Sequence, residues 1–190
     1  CTIWIKDSGP VETDTAYDRI LKHYQFVKAE VRAFGDAFYE MQGDVAIATA
    51  WDTAFAVAAA QGMKERAYFI QDYEPYFYAR GSRGLMAEMT YGLDLACICA
   101  SPWLRQLMET RHGRWAREFY LSYDPDFYYP PAELGRSNTR PRIALYSRIG
   151  TERRCVELAL LALEDLAARG VDFHVDIFGT DQEFIDLPFP

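Results

Sequence analysis

Long apolar runs are missing from this sequence. Its best apolar stretches, 95–100 and 156–163, fall well short of the roughly 18 to 20 consecutive apolar residues that a membrane-spanning helix needs. Basic residues are fewer than acidic ones, with 20 Lys and Arg against 28 Asp and Glu and a formal net charge of −8. Nonspecific nucleic-acid binding needs a basic surface that displaces counterions from phosphates, so nucleic acid is not an expected partner.

Cysteine and histidine are scarce, and their spacing fits no metal site. The chain has four cysteines, at positions 1, 97, 99 and 155, and three scattered histidines. Cys97 and Cys99 lie too close together for a zinc knuckle or a redox Cys-x-x-Cys motif. We therefore predict four reduced cysteines in the core of a cytoplasmic protein. The sequence also has no Ser-His-acid pattern, no Walker loop and no Gly-x-Gly-x-x-Gly motif, which argues against hydrolase, kinase and NAD-dependent chemistry.

The remaining composition is that of a globular protein, with 50% of the residues hydrophobic and 25% charged. Strand-like and helix-like segments alternate along the chain, which predicts an α/β fold with a doubly wound parallel sheet. Strands are predicted at 1–5, 44–50, 67–71, 95–100, 143–147 and 172–178, and helices at 14–41, 55–61, 85–91, 102–112 and 151–169.

Two domains are expected. The stretch at 133–142 is rich in Pro, Gly, Ser and Asn and predicts a linker, so we place a boundary near residue 137. This divides the chain into 1–136 and 137–190. The first part begins without Met and the second stops after a strand that no helix yet covers, so we expect both domains to be incomplete pieces of a longer protein.

The strongest charge signal is a basic stretch at 136–154. It holds six arginines and one glutamate, a local charge of +5 that leaves −13 for the rest of the chain. Arg148 follows a predicted strand, while Arg153 and Arg154 fall in the first turn of the predicted helix, where the helix dipole disfavours cations unless an anion is present. We predict a phosphate site at this junction. The alternative is a solvated linker whose arginines pair with the acidic remainder.

Carboxylates and aromatic rings cluster after the predicted strand at 67–71. Ligands of open α/β sheets bind at the carboxyl ends of the strands, and aromatic rings stack on sugars, so the pattern predicts a sugar cleft. An equally weighted alternative is that Asp72 and Glu74 cap turns while the aromatic residues pack a loop. The candidates for the cleft are Gln71, Asp72, Tyr73, Glu74, Gly81, Ser82 and Glu88, although the pattern slightly favours a structural role for Glu88. Trp51 and Asp52, at the end of another strand, are further candidates, but helix capping is the favoured interpretation of Asp52.

These segments resemble a known family, the two-domain retaining nucleotide-sugar glycosyltransferases of family 4, and most closely the WsaF-like bacterial rhamnosyltransferases. The resemblance covers nearly the whole chain. Tyr146-Ser147-Arg148 followed by Arg153 is similar to the family's Gly-Arg-Leu and a basic residue five positions later, with Ser147 in place of Gly and Arg153 in place of Lys. The other matching segments are 71–75 with 77–78, 81–82 and Glu88, then 100–104, and the boundary-like segment 122–130.

The resemblance implies a GT-B architecture of twin Rossmann-like domains, with the acceptor bound by the first domain and the donor mainly by the second. It implies that Arg148 and Arg153 bind the donor diphosphate, and that Asp72 and Glu74 are catalytic, orienting sugar hydroxyls or deprotonating the acceptor. No metal or cofactor is expected. The implied sugar and acceptor cleft consists of Gln71, Tyr73, Gly81, Ser82 and Glu88.

The implied reaction is transfer of a hexose, L-rhamnose from dTDP-L-rhamnose, to a cell-surface polysaccharide or a lipid-linked glycan by a cytoplasmic enzyme. The family's Gly-rich loop and Glu-x7-Glu pair fall outside these residues, so the chain alone is expected to be inactive. The alternative is a noncatalytic glycan- or nucleotide-binding module. A sugar-nucleotide epimerase is disfavoured, because it needs a Tyr-x-x-x-Lys helix and a dinucleotide-binding loop and the sequence has neither. Two interpretations of the segment with Arg111, Arg114, Trp115 and Arg117 remain. It contacts the inner face of the membrane peripherally, or it is a solvated loop.

Overall fold

The computed structural model describes residues 1–6, 13–23, 28–130, 140–179 and 187. The chain divides into two compact units, unit 1 at Cys1–Leu121 and unit 2 at Ser122–Pro190. Both are α/β with parallel strands, as predicted. The domain boundary predicted near residue 137 lies outside the described residues and stays a prediction.

Unit 1 is built on parallel strands. A four-stranded sheet has the order β3-β4-β5-β6, and β1 and β2 form a separate parallel pair. Its strands are β1 (Thr2–Ile5), β2 (Glu30–Ala33), β3 (Gly43–Ala48), β4 (Met63–Ile70), β5 (Ala96–Cys99) and β6 (Ala116–Glu118). Its helices are α1 (Thr13–His23), α2 (Trp51–Ala59), α3 (Ser82–Thr90) and α4 (Pro102–His112), with 3-10 turns at Asp36–Phe38 and Glu74–Phe77.

Small side chains bring α2 close to the sheet of unit 1. Ala46 and Ala48 on β3 are buried together with Ala54 and Val57 on α2, and the rings of residues such as Tyr68 complete this core. Close packing of this kind excludes voids and fixes the position of each strand end. The start of α2 is therefore held beside the carboxyl ends of β3 and β4.

Local signals predicted α4 correctly. The Ser101 Oγ accepts a hydrogen bond from the Leu104 N–H at 3.1 Å, which caps the helix, and Pro102 is its first residue. Gly113 ends the helix with a φ of 62°, a left-handed conformation that glycine adopts without strain.

The predicted helix over 14–41 is wrong. The described helix α1 ends at His23, and Glu30–Ala33 forms β2, whose Val31 lies opposite Ile3 of β1. Val31 of β2 is buried in a small cluster with Ile20 of α1. The apolar spacing that predicted one continuous helix therefore reflects a contact between a helix and a strand. Strand β6 was not predicted, because only Ala116 of its three residues is buried.

The predicted core position of the cysteines is only partly correct. Cys97 and Cys99, which share one face of β5, are buried, whereas Cys1 and Cys155 are exposed. Burial raises the pKa of the Cys99 thiol to about 12, which keeps this thiol protonated and unreactive.

Unit 2 contains one parallel strand pair and one long helix. Its elements are β7 (Arg142–Tyr146), a 3-10 turn at Glu152–Arg154, α5 (Val156–Ala168) and β8 (His174–Phe178). Leu163 of α5 packs on Phe173 in the core of this unit. The predicted helix start at 151 is wrong, because Cys155 has a left-handed φ of 50° that separates the turn from α5. None of the described helices of the chain is long and apolar enough to cross a membrane.

Candidate functional site

The loop after β4 is tied to the loop after β3 in unit 1. The Gln71 side-chain amide donates to the Thr49 carbonyl at 3.2 Å, and the Trp51 indole N–H donates to the Tyr78 hydroxyl at 2.8 Å. Both loops follow the carboxyl ends of neighbouring parallel strands, which is where open α/β sheets bind ligands. The structure therefore brings the predicted residues at 71–78 together with Trp51.

Glu74 is the anchor of this arrangement. Its side chain is buried, with 6% of the residue exposed, and it accepts hydrogen bonds from the Trp51 backbone N–H at 2.9 Å and the Tyr68 hydroxyl at 2.7 Å. Trp51 is the first residue of α2, and Ala50 before it has no side-chain oxygen to cap the helix. The Glu74 carboxylate supplies that cap from a different part of the chain.

The surroundings of Glu74 are apolar and acidic. Burial raises the pKa of the Glu74 carboxyl, with smaller contributions in the same direction from Asp52 and Asp72, while the Tyr68 and Trp51 donors lower it. Burial and the neighbouring carboxylate also raise the pKa of the Tyr68 hydroxyl, so this hydroxyl stays a hydrogen-bond donor. Of the two predicted catalytic carboxylates, Glu74 faces the protein interior.

Asp72 is the exposed carboxylate of the pair. One oxygen of its side chain accepts a hydrogen bond from the Tyr73 backbone N–H at 2.8 Å, which fixes the turn that leads into the 3-10 segment. Gln71 beside it is also exposed. These two side chains are the members of the predicted cleft that lie at the surface directly after β4.

Tyr73 and Glu88 form a supporting network behind the loop. The Tyr73 ring is buried and stacks on Tyr91 with ring centroids 5.5 Å apart, and its hydroxyl donates to Glu88 Oε1 at 3.1 Å. Arg111 forms an ion pair with Glu88. Burial and the Glu88 carboxylate raise the pKa of Tyr73 to about 12. Tyr73 and Glu88 therefore hold the loop in place, while the predicted cleft residues Gly81 and Ser82 are exposed at the start of α3.

An aromatic pocket opens beside the start of α2. It has a volume of about 270 Å³ and is lined by Trp51, Phe55, Tyr39 and Met86, among others. Lys6, at the end of β1, also lines it; its ammonium donates to the Asp52 carbonyl at 2.8 Å and lies 3.5 Å from the Asp52 carboxylate. Aromatic walls with a few polar groups are typical of small-ligand pockets. The sequence indicated Trp51 and Asp52 but gave no signal for the lysine and Tyr39, which come from distant segments.

In unit 2, two of the predicted arginines pair with acidic residues. The Arg140 Nε lies 2.7 Å from the Asp172 Oδ1, and Arg142 donates two hydrogen bonds to the Asp176 carboxylate, at 3.0 and 2.7 Å. The alternative in which arginines neutralise acidic residues is therefore correct for Arg140 and Arg142.

Three more arginines of the basic stretch lie around the turn that follows β7, and Arg136 lies outside the described residues. Arg148, Arg153 and Arg154 are exposed, and the Arg154 guanidinium lies 5.3 Å from the centre of the Tyr146 ring. The Thr151 N–H donates to the Arg148 carbonyl at 3.0 Å, which ties Arg148 to the 3-10 turn. Arg153 and Arg154 lie on this 3-10 turn. The sequence-based prediction that they lie in the first turn of an α-helix is therefore wrong.

Ser147 lies fully buried at the end of β7. Its backbone N–H donates to the Phe178 carbonyl at 2.7 Å, whereas its hydroxyl has no hydrogen-bond partner among the described residues. Gly179, with a φ of 84°, packs so closely on Tyr146 that a Cβ would lie 2.2 Å from the ring. Only glycine, which has no Cβ and adopts this φ without strain, fits at position 179. Within the described residues, no group of three or more Asp, Glu, His or Cys side chains could hold a metal ion.

Two comparisons with known proteins bear on this site. Residues 15–100 match the family model of the WsaF N-terminal domain. The chain is also 38% identical over 125 residues to the O-antigen biosynthesis protein RfbC of Myxococcus xanthus, a match that covers 65% of this chain and 10% of that protein. Both likenesses support the resemblance to WsaF-like proteins.

The matched regions differ in what they cover. The WsaF N-terminal match contains the whole loop network from Trp51 to Glu88 in unit 1, and it ends before Arg148 and Arg153. The chain spans about a tenth of the length of the curated relative that it matches. The loop network in unit 1 therefore has a family likeness, while the phosphate site expected at Arg148 and Arg153 of unit 2 stays a prediction from the sequence.

Proposed function

We propose that this chain is part of a WsaF-like glycosyltransferase of polysaccharide biosynthesis. The observation that carries the proposal is the likeness of residues 15–100 to the WsaF N-terminal domain, which includes the loop network at the carboxyl ends of β3 and β4. The second support is the name of the bacterial relative, which assigns that protein to O-antigen biosynthesis. The enzyme has a GT-B arrangement of two Rossmann-like domains and acts in the cytoplasm, at the inner face of the membrane when its acceptor is lipid-linked.

The proposed donor is dTDP-L-rhamnose, bound mainly by the domain that contains unit 2. Arg148 and Arg153 contact its diphosphate and stabilise the negative charge that develops on the leaving group as the glycosidic bond breaks. The exposed positions of these arginines support this role. The guanidinium of Arg153 offers a planar pair of donors to phosphate oxygens, where a lysine would offer a point charge. The reaction proceeds with retention and needs neither metal nor cofactor.

The proposed acceptor is a cell-surface polysaccharide or its lipid-linked precursor, bound at unit 1. Its hydroxyl groups contact Asp72 and Gln71 at the surface after β4, and its rings stack in the aromatic pocket beside Trp51. Glu74 acts through the protein, because both of its carboxylate oxygens accept hydrogen bonds from protein donors. In this proposal, Asp72 touches the acceptor, and Glu74 positions the loop that carries Asp72.

A noncatalytic glycan-binding module is the second candidate. One observation favours it: Glu74 and Glu88 are both engaged with protein groups, while the aromatic pocket remains open to a sugar. Such a module binds glycan without turning over a nucleotide sugar. The two candidates differ in nucleotide binding, which only the enzyme requires.

The test is calorimetric titration of the complete gene product with dTDP-L-rhamnose, dTDP and dTMP. We expect dTDP to bind at least about tenfold more tightly than dTMP, because dTMP lacks the second phosphate for Arg148 and Arg153, and one charge-assisted contact contributes about 1.5 to 3 kcal/mol. Equal affinities, or no binding of any of the three, would contradict the proposed donor site and leave the glycan-binding module.

A further inference from the structure

The aromatic pocket beside the start of α2 contains one pair of opposite charges. Among the described residues that line it, the charged ones are Lys6 and Asp52, and the others are aromatic or aliphatic, such as Phe34 and Met86. The Lys6 ammonium lies 3.5 Å from the Asp52 carboxylate, and both side chains are partly exposed. A hydrogen-bond donor and an acceptor therefore lie side by side within apolar walls.

The Asp52 carboxylate is not used to cap α2. The Trp51 N–H at the start of this helix donates to Glu74 at 2.9 Å, and within the described part of the chain no backbone N–H donates to the Asp52 carboxylate. The capping role that the sequence favours for Asp52 therefore belongs to Glu74. Because a carboxylate has two acceptor oxygens with about four lone pairs, Asp52 keeps acceptor sites for a ligand beside its contact with Lys6.

The Lys6 ammonium is held in a fixed position. It donates to the Asp52 carbonyl at 2.8 Å, lies next to the Asp52 carboxylate, and is 5.8 Å from the centre of the Phe34 ring. Among the described residues, these two oxygens of Asp52 take two of its three N–H donors, so one donor remains for a ligand. A group that is already fixed loses little conformational entropy when a ligand binds.

Neighbouring hydroxyl groups of a sugar ring fit this pair. A hydroxyl both donates and accepts hydrogen bonds, so one hydroxyl can donate to Asp52 while the next accepts from Lys6. Hydrogen bonds to charged groups are roughly twice as strong as those between neutral groups. The apolar face of the same sugar ring stacks on Trp51, whose indole is fixed by its hydrogen bond to the Tyr78 hydroxyl at 2.8 Å and by an edge-to-face contact with Phe55.

Size and charge restrict the ligand further. The pocket volume of about 270 Å³ lies below the range of roughly 300 to 1,000 Å³ that is typical of pockets for drug-sized ligands, so the pocket takes one sugar ring. The charges of Lys6 and Asp52 cancel each other. An anionic sugar would bring its carboxylate close to Asp52, and the formal net charge of −8 on the chain also opposes anions.

We propose that this pocket binds one neutral pyranose of the acceptor glycan, with two neighbouring ring hydroxyls on Asp52 and Lys6 and one ring face on Trp51. The charge pair selects a neutral sugar over a uronic acid. The inference rests on the proposed function, which supplies the glycan. Because it concerns binding alone, it applies to the glycosyltransferase and to the glycan-binding module alike.

The test is calorimetric titration of the complete gene product with methyl glycosides. The neutral probes are the methyl glycosides of glucose, galactose, mannose and rhamnose, and the anionic probes are those of glucuronic and galacturonic acid. We expect at least one neutral glycoside to bind, and both anionic glycosides to bind at least about tenfold more weakly than that one, because their carboxylate is repelled by Asp52.

Variants of the charge pair test the assigned contacts. Lys6→Met and Asp52→Ala should each weaken the binding of the neutral glycoside about tenfold, because each removes one charge-assisted hydrogen bond. Asp52→Asn should strengthen the binding of the anionic glycosides, since it leaves the Lys6 charge without a counter-charge. The matched controls are Lys64→Met and Asp44→Ala, which break an exposed ion pair outside the pocket and should leave the Kd within about twofold.

Three results would overturn the inference. The first is an affinity of Lys6→Met and Asp52→Ala for the neutral glycoside equal to that of the two control variants. The second is tighter binding of an anionic glycoside than of every neutral one by the wild-type protein. The third is absence of binding of every glycoside to a protein that transfers sugar, which would support the enzyme without this pocket. Binding that follows these expectations in a protein that transfers no sugar would support the inference and contradict the glycosyltransferase.

Discussion

Replacing Glu74 with alanine is expected to lower the free energy of unfolding of unit 1 by about 3 kcal/mol. The substitution leaves the Tyr68 hydroxyl and the Trp51 backbone N–H without their shared acceptor in the interior. Each buried donor left unpaired costs about 1 to 3 kcal/mol. All four tryptophans lie in unit 1, so urea unfolding followed by tryptophan fluorescence reports on this unit.

Two variants serve as controls for this prediction. Glu74→Gln keeps the shape, its amide oxygen still accepts from the Trp51 N–H, and its amide N–H can donate to the Tyr68 hydroxyl oxygen, so it should cost about 1 kcal/mol. Glu65→Ala removes an exposed glutamate of β4 and should change stability by no more than about 0.5 kcal/mol. If Glu74→Ala is as stable as Glu65→Ala, the carboxylate does not anchor the loop.

The stability difference between the wild-type protein and Glu74→Gln is expected to depend on pH. Because burial raises the pKa of Glu74 in the folded protein above its ordinary value of 4.5, the folded state binds this proton more tightly than the unfolded state. The stabilising contribution of the protonated carboxyl is complete below pH 4.5 and is lost as the pH rises through the raised pKa. We expect the wild-type protein to lose stability relative to Glu74→Gln as the pH rises above 4.5, and a constant difference would contradict the shift.

Replacing Arg148 with alanine is expected to lower kcat/KM for the nucleotide-sugar donor by about 100-fold in the complete gene product. This prediction rests on the proposed function. Removing one preorganised donor from a developing negative charge lowers the rate by a factor of roughly 100 to 1,000 in well-studied sites. Arg148→Lys keeps the charge without the planar fork, so it should recover part of this loss.

The control for Arg148 is another arginine of the same unit. Arg142 is held by two hydrogen bonds to Asp176 and already has a partner. Arg142→Ala should leave kcat/KM within about threefold of the wild-type value, because an exposed ion pair contributes only about 0 to 1 kcal/mol. Steady-state kinetics over a range of donor concentrations gives both values. Equal kcat/KM for Arg148→Ala and Arg142→Ala would remove Arg148 from the donor site.

The sequence predicted the elements whose signals are local. Ser101, Pro102 and Gly113 define α4 by capping and backbone preference alone, and the structure has all three in these roles. Strand β2 was missed because its formation depends on pairing with β1, and the apolar spacing of Ile20 and Val31 fits a helix equally well. Pairing between distant segments decides such cases.

The sequence predicted which residues belong to the site in unit 1, but not what each side chain does there. The cluster at 71–78 was visible as carboxylates and rings after a strand, whereas the division into an exposed Asp72 and a buried Glu74 depends on Tyr68 and Trp51, which the sequence does not connect to them. The same holds for Lys6, which reaches the pocket from β1. Side chains that meet only through the fold give no spacing signal.

The decisive measurement is sugar transfer by the complete gene product from dTDP-L-rhamnose to polysaccharide acceptors. We expect dTDP to be released in equal amount to the rhamnose incorporated into the acceptor, with retention of the anomeric configuration and without added metal. Absence of transfer from dTDP-L-rhamnose and from other nucleotide hexoses, in a folded protein that still binds glycan, would contradict the glycosyltransferase and establish the binding module in its place.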